Sequence, residues 1–247
     1  MNRASVDCII VAAGSGKRLG AKIPKAFVRL GGQPLFVHSL LTFAAHKAVG
    51  RLIVVAPPAM VPRTRRIVNR FCLRKEVTVV PGGEHRWQSV KNGVGASEAT
   101  WVMIHDSARP FVAPAVIDAV LHAARRFDAV IAAIPEVDTV RKFSGDRAGE
   151  TLDRSVIVRV QTPQLFLRAK LLLAFDAATR LSSPPTDEAL LMEALGAAVG
   201  IAQGDALNFK ITTQGDLELA EALWEKRNPV RKQPRHAGSA ARRATRV

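Results

Sequence analysis

Tyrosine is absent from the 247 residues, and aromatic side chains make up only 5% of them. A surface that binds single-stranded nucleic acid interleaves cations with aromatic platforms. The formal charge of +15 therefore lacks half of what that function requires. Cysteine occurs only as Cys8 and Cys72, without metal-ligand spacing. Both are expected as reduced core or near-core thiols of a cytoplasmic protein. No apolar run approaches the ~20 residues that cross a bilayer, so no membrane contact is expected. The first residues pass directly into an apolar strand, which leaves no room for a secretory signal. No evident His–Asp catalytic pair stands out either.

The charge is unevenly spread. From Lys226 onward eight basic residues occur with no acid, so the rest of the chain carries only +7. That stretch also holds Pro229, Pro234, Gly238 and Ser239 and lacks apolar periodicity, which predicts a disordered tail over 227–247. At most a weak polyanion contact is expected there; a solvated extension without function is the competing reading.

What is present is concentrated near the amino terminus. Val6 to Val11 forms an apolar run of the kind that reads as a buried parallel strand. It leads into Ala12-Ala13-Gly14-Ser15-Gly16-Lys17-Arg18-Leu19-Gly20, followed by Pro24-Lys25. Glycines let a ligand approach the main chain. Successive amides can then surround phosphate oxygens, with cations supplied by Lys17, Arg18 and Lys25. The loop is read as a site for a nucleoside triphosphate. A Walker A loop would need glycine at 11 and Ser or Thr at 18, where Val11 and Arg18 stand. A dinucleotide fingerprint would need its third glycine at 19, which is Leu19. An ordinary strand-to-helix turn with solvated cations is the plain alternative.

Apolar runs at Val6–Ala12, Arg51–Ala56, Val77–Val80, Trp101–Ile104, Ala129–Ile134 and Val199–Gln203 alternate with amphipathic stretches at Leu35–His46, Ala59–Phe71, Arg86–Gly93 and Ala115–Phe127. This predicts a single Rossmann-like, three-layer α/β domain over 1–226 with a mostly parallel sheet. Ligands of such sheets sit at the carboxyl ends of strands. Pro135 to Val160 breaks the rhythm, and alternation around Ser144-Gly145-Asp146 predicts a projecting β-hairpin arm over about 136–160. Isolated hairpins are marginal in water, so the arm is expected to make a homodimer.

Further motifs follow in order: Gly82-Gly83-Glu84-His85-Arg86 with Ser89, His105-Asp106-Ser107-Ala108-Arg109-Pro110, Asp138-Thr139, Asp153-Arg154, Gln161-Thr162-Pro163-Gln164, Thr186-Asp187-Glu188 and Asn208-Phe209-Lys210-Ile211-Thr212. With the first loop, the series resembles the 2-C-methyl-D-erythritol 4-phosphate cytidylyltransferases of the non-mevalonate isoprenoid pathway, from Val6 to about Leu223. Ribitol-phosphate cytidylyltransferases share the loop and the Asp106 region. The resemblance implies transfer of a cytidylyl group from CTP to a polyol phosphate, with release of pyrophosphate.

It also implies roles for individual residues. Arg18, Lys25 and Lys210 would be catalytic. Ala12, Ala13, Gly14, Gly16 and Lys17 would bind the nucleotide, and Gly83 and Ser89 would recognise the cytosine edge. Asp106 would lie beside the ribose and hold Mg²⁺ bound to the phosphates. Arg109, Thr139, Arg154 and Lys210 would bind the incoming phosphate, the arm residues reaching across the dimer. One departure stands out: some relatives carry an acid shortly before the lysine of Asn-x-Lys, where this chain has Leu207, with Asp205 displaced. A second metal ligand is therefore not assigned.

Overall fold

All six strands foretold by the apolar runs are present in the computed structural model, which describes residues 6–14, 16, 19–20, 23–178 and 187–229. In chain order the elements are β1 (Val6–Val11), a short hairpin of β2 (Arg29–Leu30) and β3 (Gln33–Pro34), α1 (Leu35–Ala45), β4 (Val49–Ala56), α2 (Val61–Asn69), β5 (Val77–Pro81), α3 (Arg86–Gly95), β6 (Trp101–Asp106) and α4 (Pro114–Ala123). There follow β7 (Ala129–Pro135), β8 (Arg141–Ser144), β9 (Arg147–Thr151), β10 (Val158–Leu167), α5 (Arg168–Ala178), α6 (Glu188–Ala194), β11 (Val199–Gln203) and α7 (Gln214–Arg227).

The main sheet has the order β11-β7-β10-β6-β1-β4-β5. Only β10 runs against its neighbours, β6 and β7. Successive strand residues face opposite sides, and both sides are apolar, as a sheet covered on two faces requires. Cys8 and Ile10 join one core with Phe36, Val68 and Val120 of α1, α2 and α4. Ile9 joins the other with Val90, Phe175 and Met192 of α3, α5 and α6. A smaller cluster built from Leu19, Leu30, Phe111 and Leu217 seats α7 beside the β2–β3 hairpin.

The strand β10 and the helix α5 were not foreseen. Thr162-Pro163 interrupts the apolar pattern of β10, and its pairing with β7 slips between Gln161 and Gln164, the kind of irregularity where a strand accommodates proline. The arm is present as β8 and β9, a separate pair turning at Gly145 with φ 59°. Every residue of both strands is exposed, Phe143 at 82%. The arm is shorter than expected, because β10 rejoins the sheet at Val158 opposite Pro135.

Two further expectations change. Cys8 is buried, but Cys72 is exposed at φ 45° rather than near the core. Helix α7 runs through Arg227, whose guanidinium lies 5.3 Å from the Phe111 ring centroid, so the folded part passes 226. The remaining tail, 230–247, lies outside the described residues. Among the described residues no helix is long and apolar enough to cross a membrane.

Candidate active site

Strand register assembles the site. Val11 at the end of β1 pairs with Asp106 at the end of β6 and with Val55 of β4, while Ala56 pairs with Pro81 at the end of β5. The loops leaving β1, β5 and β6 therefore emerge side by side. They enclose a cavity of about 420 Å³ whose walls include Ala13, Gly14, Gly16, Lys25, Gly83, Ser89, Asp106 and Lys210. That is the size expected of a small-molecule pocket.

The loops after β1 and β5 are shaped by close contacts that only glycine permits. Gly16 has φ 72°, and a Cβ there would lie 2.7 Å from Cβ of Lys25. Lys25 opens a 3-10 turn whose next residues, Ala26 and Phe27, are buried and anchor it. A Cβ on Gly82 would meet Cβ of Ala13 at 2.4 Å and Oγ of Ser89 at 2.8 Å. This contact brings the second loop against the first. The Ser89 hydroxyl accepts from the Gly83 amide at 3.1 Å and donates to the His85 carbonyl at 3.2 Å. The His85 amide donates to Oε1 of Gln88 at 2.8 Å, which ties off the start of α3.

The floor carries a chain of alternating charges. Asp106, 8% exposed, accepts through Oδ2 from Nζ of Lys210 at 2.6 Å. Its Oδ1 accepts from Nη2 and Nε of Arg86 at 3.3 and 3.4 Å. The Nη1 of Arg86 donates to both oxygens of Glu188 at 2.8 Å, and Glu188 is 0% exposed. Burial pushes the Asp106 carboxyl up, but Arg86 and Lys210 outweigh it and hold it well below the usual carboxylate range. Glu188 is raised by burial and drawn part of the way back by Arg86. Burial lowers Arg86, yet the two carboxylates more than compensate and leave it raised. Removing one member of such a buried pair typically costs about 3–5 kcal/mol.

Beneath Asp106 lies a neutral polar layer. Its amide donates to Oγ1 of Thr162 at 3.0 Å, and that hydroxyl pairs with Nδ1 of His105 at 3.1 Å. The His105 Nε2 faces the Arg109 carbonyl at 3.1 Å. Burial holds this imidazole down at about 4, so it is neutral near pH 7 and serves as a support.

Residues 6–226 match the family described as IspD, 2-C-methyl-D-erythritol 4-phosphate cytidylyltransferase. The chain belongs to the 2-C-methyl-D-erythritol 4-phosphate cytidylyltransferase family. It is 39% identical over 222 residues to the enzyme of that name from Geobacillus kaustophilus, covering 90% of this chain and 97% of the relative. A Salinibacter ruber relative of the same name is 40% identical over 218 residues, with 87% and 91% covered. Among solved structures, the cytidylyltransferase of Thermus thermophilus superposes with a TM-score of 0.76 at 34% identity, covering 90% of this chain and 99% of that one. The 4-diphosphocytidyl-2C-methyl-D-erythritol synthase of Anaerococcus prevotii superposes with a TM-score of 0.80 at 26% identity, covering 91% and 100%.

In this family member the cavity gathers Ala13, Gly14, Gly16, Lys25, Gly83, Ser89, Asp106 and Lys210. Ala12 is buried beneath the loop with its amide bonded to the Val55 carbonyl at 2.8 Å, so it supports the cavity without lining it. Arg109 stands behind the wall, donating to the carbonyls of Asn208 at 2.7 Å and Val160 at 3.3 Å. Thr139 and Arg154 lie at the base of the arm, outside the cavity of their own chain, and Arg154 donates to the Val137 carbonyl. Lys17 and Arg18 lie outside the described residues, as does Thr186.

Sequence reasoning quoted Arg86 and Glu188 within motifs but assigned neither a role, and it missed the support from Thr162. Nothing local couples residues 102 positions apart; only the fold does. Among the described residues no cluster of three or more His, Cys, Asp or Glu could hold a metal alone. A carboxylate has about four lone-pair sites, so Asp106 fits as one protein ligand to a cation whose other ligands are phosphate oxygens and water. Asp205 is turned away, its Oδ1 accepting from the Leu207 amide at 2.8 Å.

Proposed function

We propose that this chain transfers a cytidylyl group from CTP to 2-C-methyl-D-erythritol 4-phosphate, giving 4-diphosphocytidyl-2-C-methyl-D-erythritol and pyrophosphate. The observation that carries this reading is the convergence of a glycine-shaped loop, Lys25, Lys210 and an ionised Asp106 on one cavity at the strand ends. The nucleophile is a phosphate monoester with a second pKa near ~6, largely dianionic at neutral pH. It needs no general base, in keeping with a His105 that is buried beneath the site and engaged on both ring nitrogens.

The residues' task is to bring two polyanions together and to stabilise charge as the α-phosphorus becomes five-coordinate. A cation ~4 Å from a phosphate charge contributes ~4 kcal/mol at an effective dielectric of 20, before desolvation. Lys25 and Lys210 are placed to act in this way, and Arg18 joins them on the family resemblance. The loop amides of Gly14 and Gly16 receive phosphate oxygens, and Gly83 presents its backbone to the base. Asp106 orients the ribose and would hold Mg²⁺, which when bound neutralises charge shared among the phosphates.

The protein acts as a cytoplasmic homodimer in this reading. Free thiols at Cys8 and Cys72 support the compartment. An arm exposing Val137, Phe143 and Val156 supports the dimer. Thr139 and Arg154 then reach the alcohol phosphate in the partner's cavity. The test is pyrophosphate release from CTP and Mg²⁺, with methylerythritol phosphate and ribitol phosphate as rival acceptors. Release with the first acceptor is expected; preference for the second, or no release with either, overturns the assignment.

A further inference from the structure

We infer that Glu188 is a positioning residue for the nucleotide: acting through Arg86, it sets the orientation in which Asp106 and Lys210 meet CTP. The inference rests on the cytidylyltransferase reading above. Glu188 is fully buried and forms no part of the cavity wall, so it does not touch a ligand itself. Yet both its oxygens converge on the single Nη1 of Arg86 at 2.8 Å. That leaves only Nη2 and Nε to reach Asp106, and both reach the same oxygen, Oδ1. The other oxygen remains for Lys210.

Without Glu188 the guanidinium loses the anchor on Nη1 that fixes its plane and can pivot until its Nε–Nη2 edge takes both oxygens of Asp106, the bidentate geometry that arginine and carboxylate prefer. Lys210 would then lose its partner. A buried acid near a pocket for a tetra-anion makes no sense as an attractor, because its charge opposes the ligand. It makes sense as the group that keeps the fork of Arg86 from closing on Asp106. The two roles predict opposite signs. If Glu188 acted only through its charge, removing that charge would tighten CTP binding; if it positions, removal weakens binding.

The experiment uses the full chain with Mg²⁺ and compares wild type, Glu188→Gln, Glu188→Asp, Asp106→Asn and the double variant Glu188→Gln/Asp106→Asn. CTP Kd is read by calorimetry, turnover by pyrophosphate release with methylerythritol phosphate as acceptor, and Tm by calorimetric scan. Glu188→Gln should raise the CTP Kd by about tenfold or more, the scale of one charge-assisted hydrogen bond. Glu188→Asp, which keeps the charge, should recover part of that loss. In the Asp106→Asn background Glu188→Gln should change Kd by less than about twofold, because the route of action is already cut. An unchanged or lower Kd in Glu188→Gln, or a full additive loss in the double variant, overturns the inference. A fall in Tm alone, with Kd and turnover intact, would also overturn it, since that is what a merely structural ion pair gives. If Glu188→Gln does not fold, Glu188→Asp decides: a Kd equal to wild type sinks the proposal. Wild-type protein that releases no pyrophosphate from CTP with methylerythritol phosphate present refutes the reaction itself, before any variant is compared, and this inference falls with it.

Discussion

The substitution Gly16→Ala separates the shape of the phosphate loop from its charge. At φ 72° an L-residue costs about 1–2 kcal/mol. The new methyl would also stand 2.7 Å from Cβ and 3.0 Å from N of Lys25, against about 3.5–4.0 Å for relaxed carbon contacts. No rotation of a side chain relieves this, because the clash is with the root and backbone of Lys25. Nor can Lys25 retreat, since Ala26 and Phe27 behind it are buried. The loop and the lysine must therefore separate by roughly 1 Å, a displacement that can cost about a hundredfold in rate. The strain alone should lower Tm by about 2–8 °C for a domain of this size.

Gly20→Ala is the control for that experiment. Its φ is 67°, but among the described residues a methyl there meets nothing within 4 Å. It should lose comparable stability and keep its rate. Both variants are assayed for pyrophosphate release and thermal unfolding. Equal kcat/KM in the two would show that contact between Gly16 and Lys25 does not set the chemistry, and the reasoning would fail.

Further outcomes are expected. Lys25→Ala should lose kcat more than CTP affinity, and Arg154→Ala should lose affinity for the alcohol phosphate alone; mixed, allowed to exchange and assayed at an alcohol phosphate concentration too low for either variant to turn over, the two should regain up to about a quarter of wild-type activity if arms cross a two-fold dimer, whereas no recovery would confine each site to one chain. The buried His105, held at about 4 against an ordinary 6.5, contributes stability that is complete above about pH 6.5 and is lost as pH falls towards 4. Urea titrations at pH 7 and 4.5 should show His105→Gln losing about 2–3 kcal/mol less than wild type over that interval, and parallel losses would refute the assignment. Asp106, held down by its cations, loses its share only below about 3.8, and Glu188, raised by burial, changes in the opposite sense, so neither mimics this window.

Much of the fold was legible because its signals are local. Val6–Val11, apolar but for Asp7, and Ala129–Ile134, apolar throughout, are buried on both faces and read as strands. The arm was legible from a glycine turn, and Gly145 does adopt a left-handed φ. β10 was hidden because its buried polar residues look like a loop. Gln161 and Thr162 are in fact satisfied by distant partners: the Asp205 backbone, the Asp106 amide and His105. Such partners offset the cost of burying polar residues in a core strand, and one-dimensional pattern contains no trace of them. α5 was missed for the opposite reason: Leu171 to Phe175 is so uniformly apolar that its period is ambiguous.

The site divides along the same line. Backbone-shaping residues were readable as glycines of two separate loops, and the fold sets Gly14, Gly16 and Gly83 against one cavity. The charges were readable as an inventory but not as a circuit. Arg86 could have served as a phosphate ligand, a partner of Asp106 or a solvated cation, and Glu188 could have been an ordinary first-turn acid. Their meeting depends on the pairing of β1 with β6, which sets Asp106 beside the loop, and on α6, which delivers Glu188 to Arg86 at the start of α3. Once they meet, the order of charges follows from geometry: one guanidinium shared between two carboxylates cannot satisfy either fully. Asp106 is thereby left with an oxygen for Lys210 and, on that same oxygen, about one lone-pair site for whatever enters the cavity.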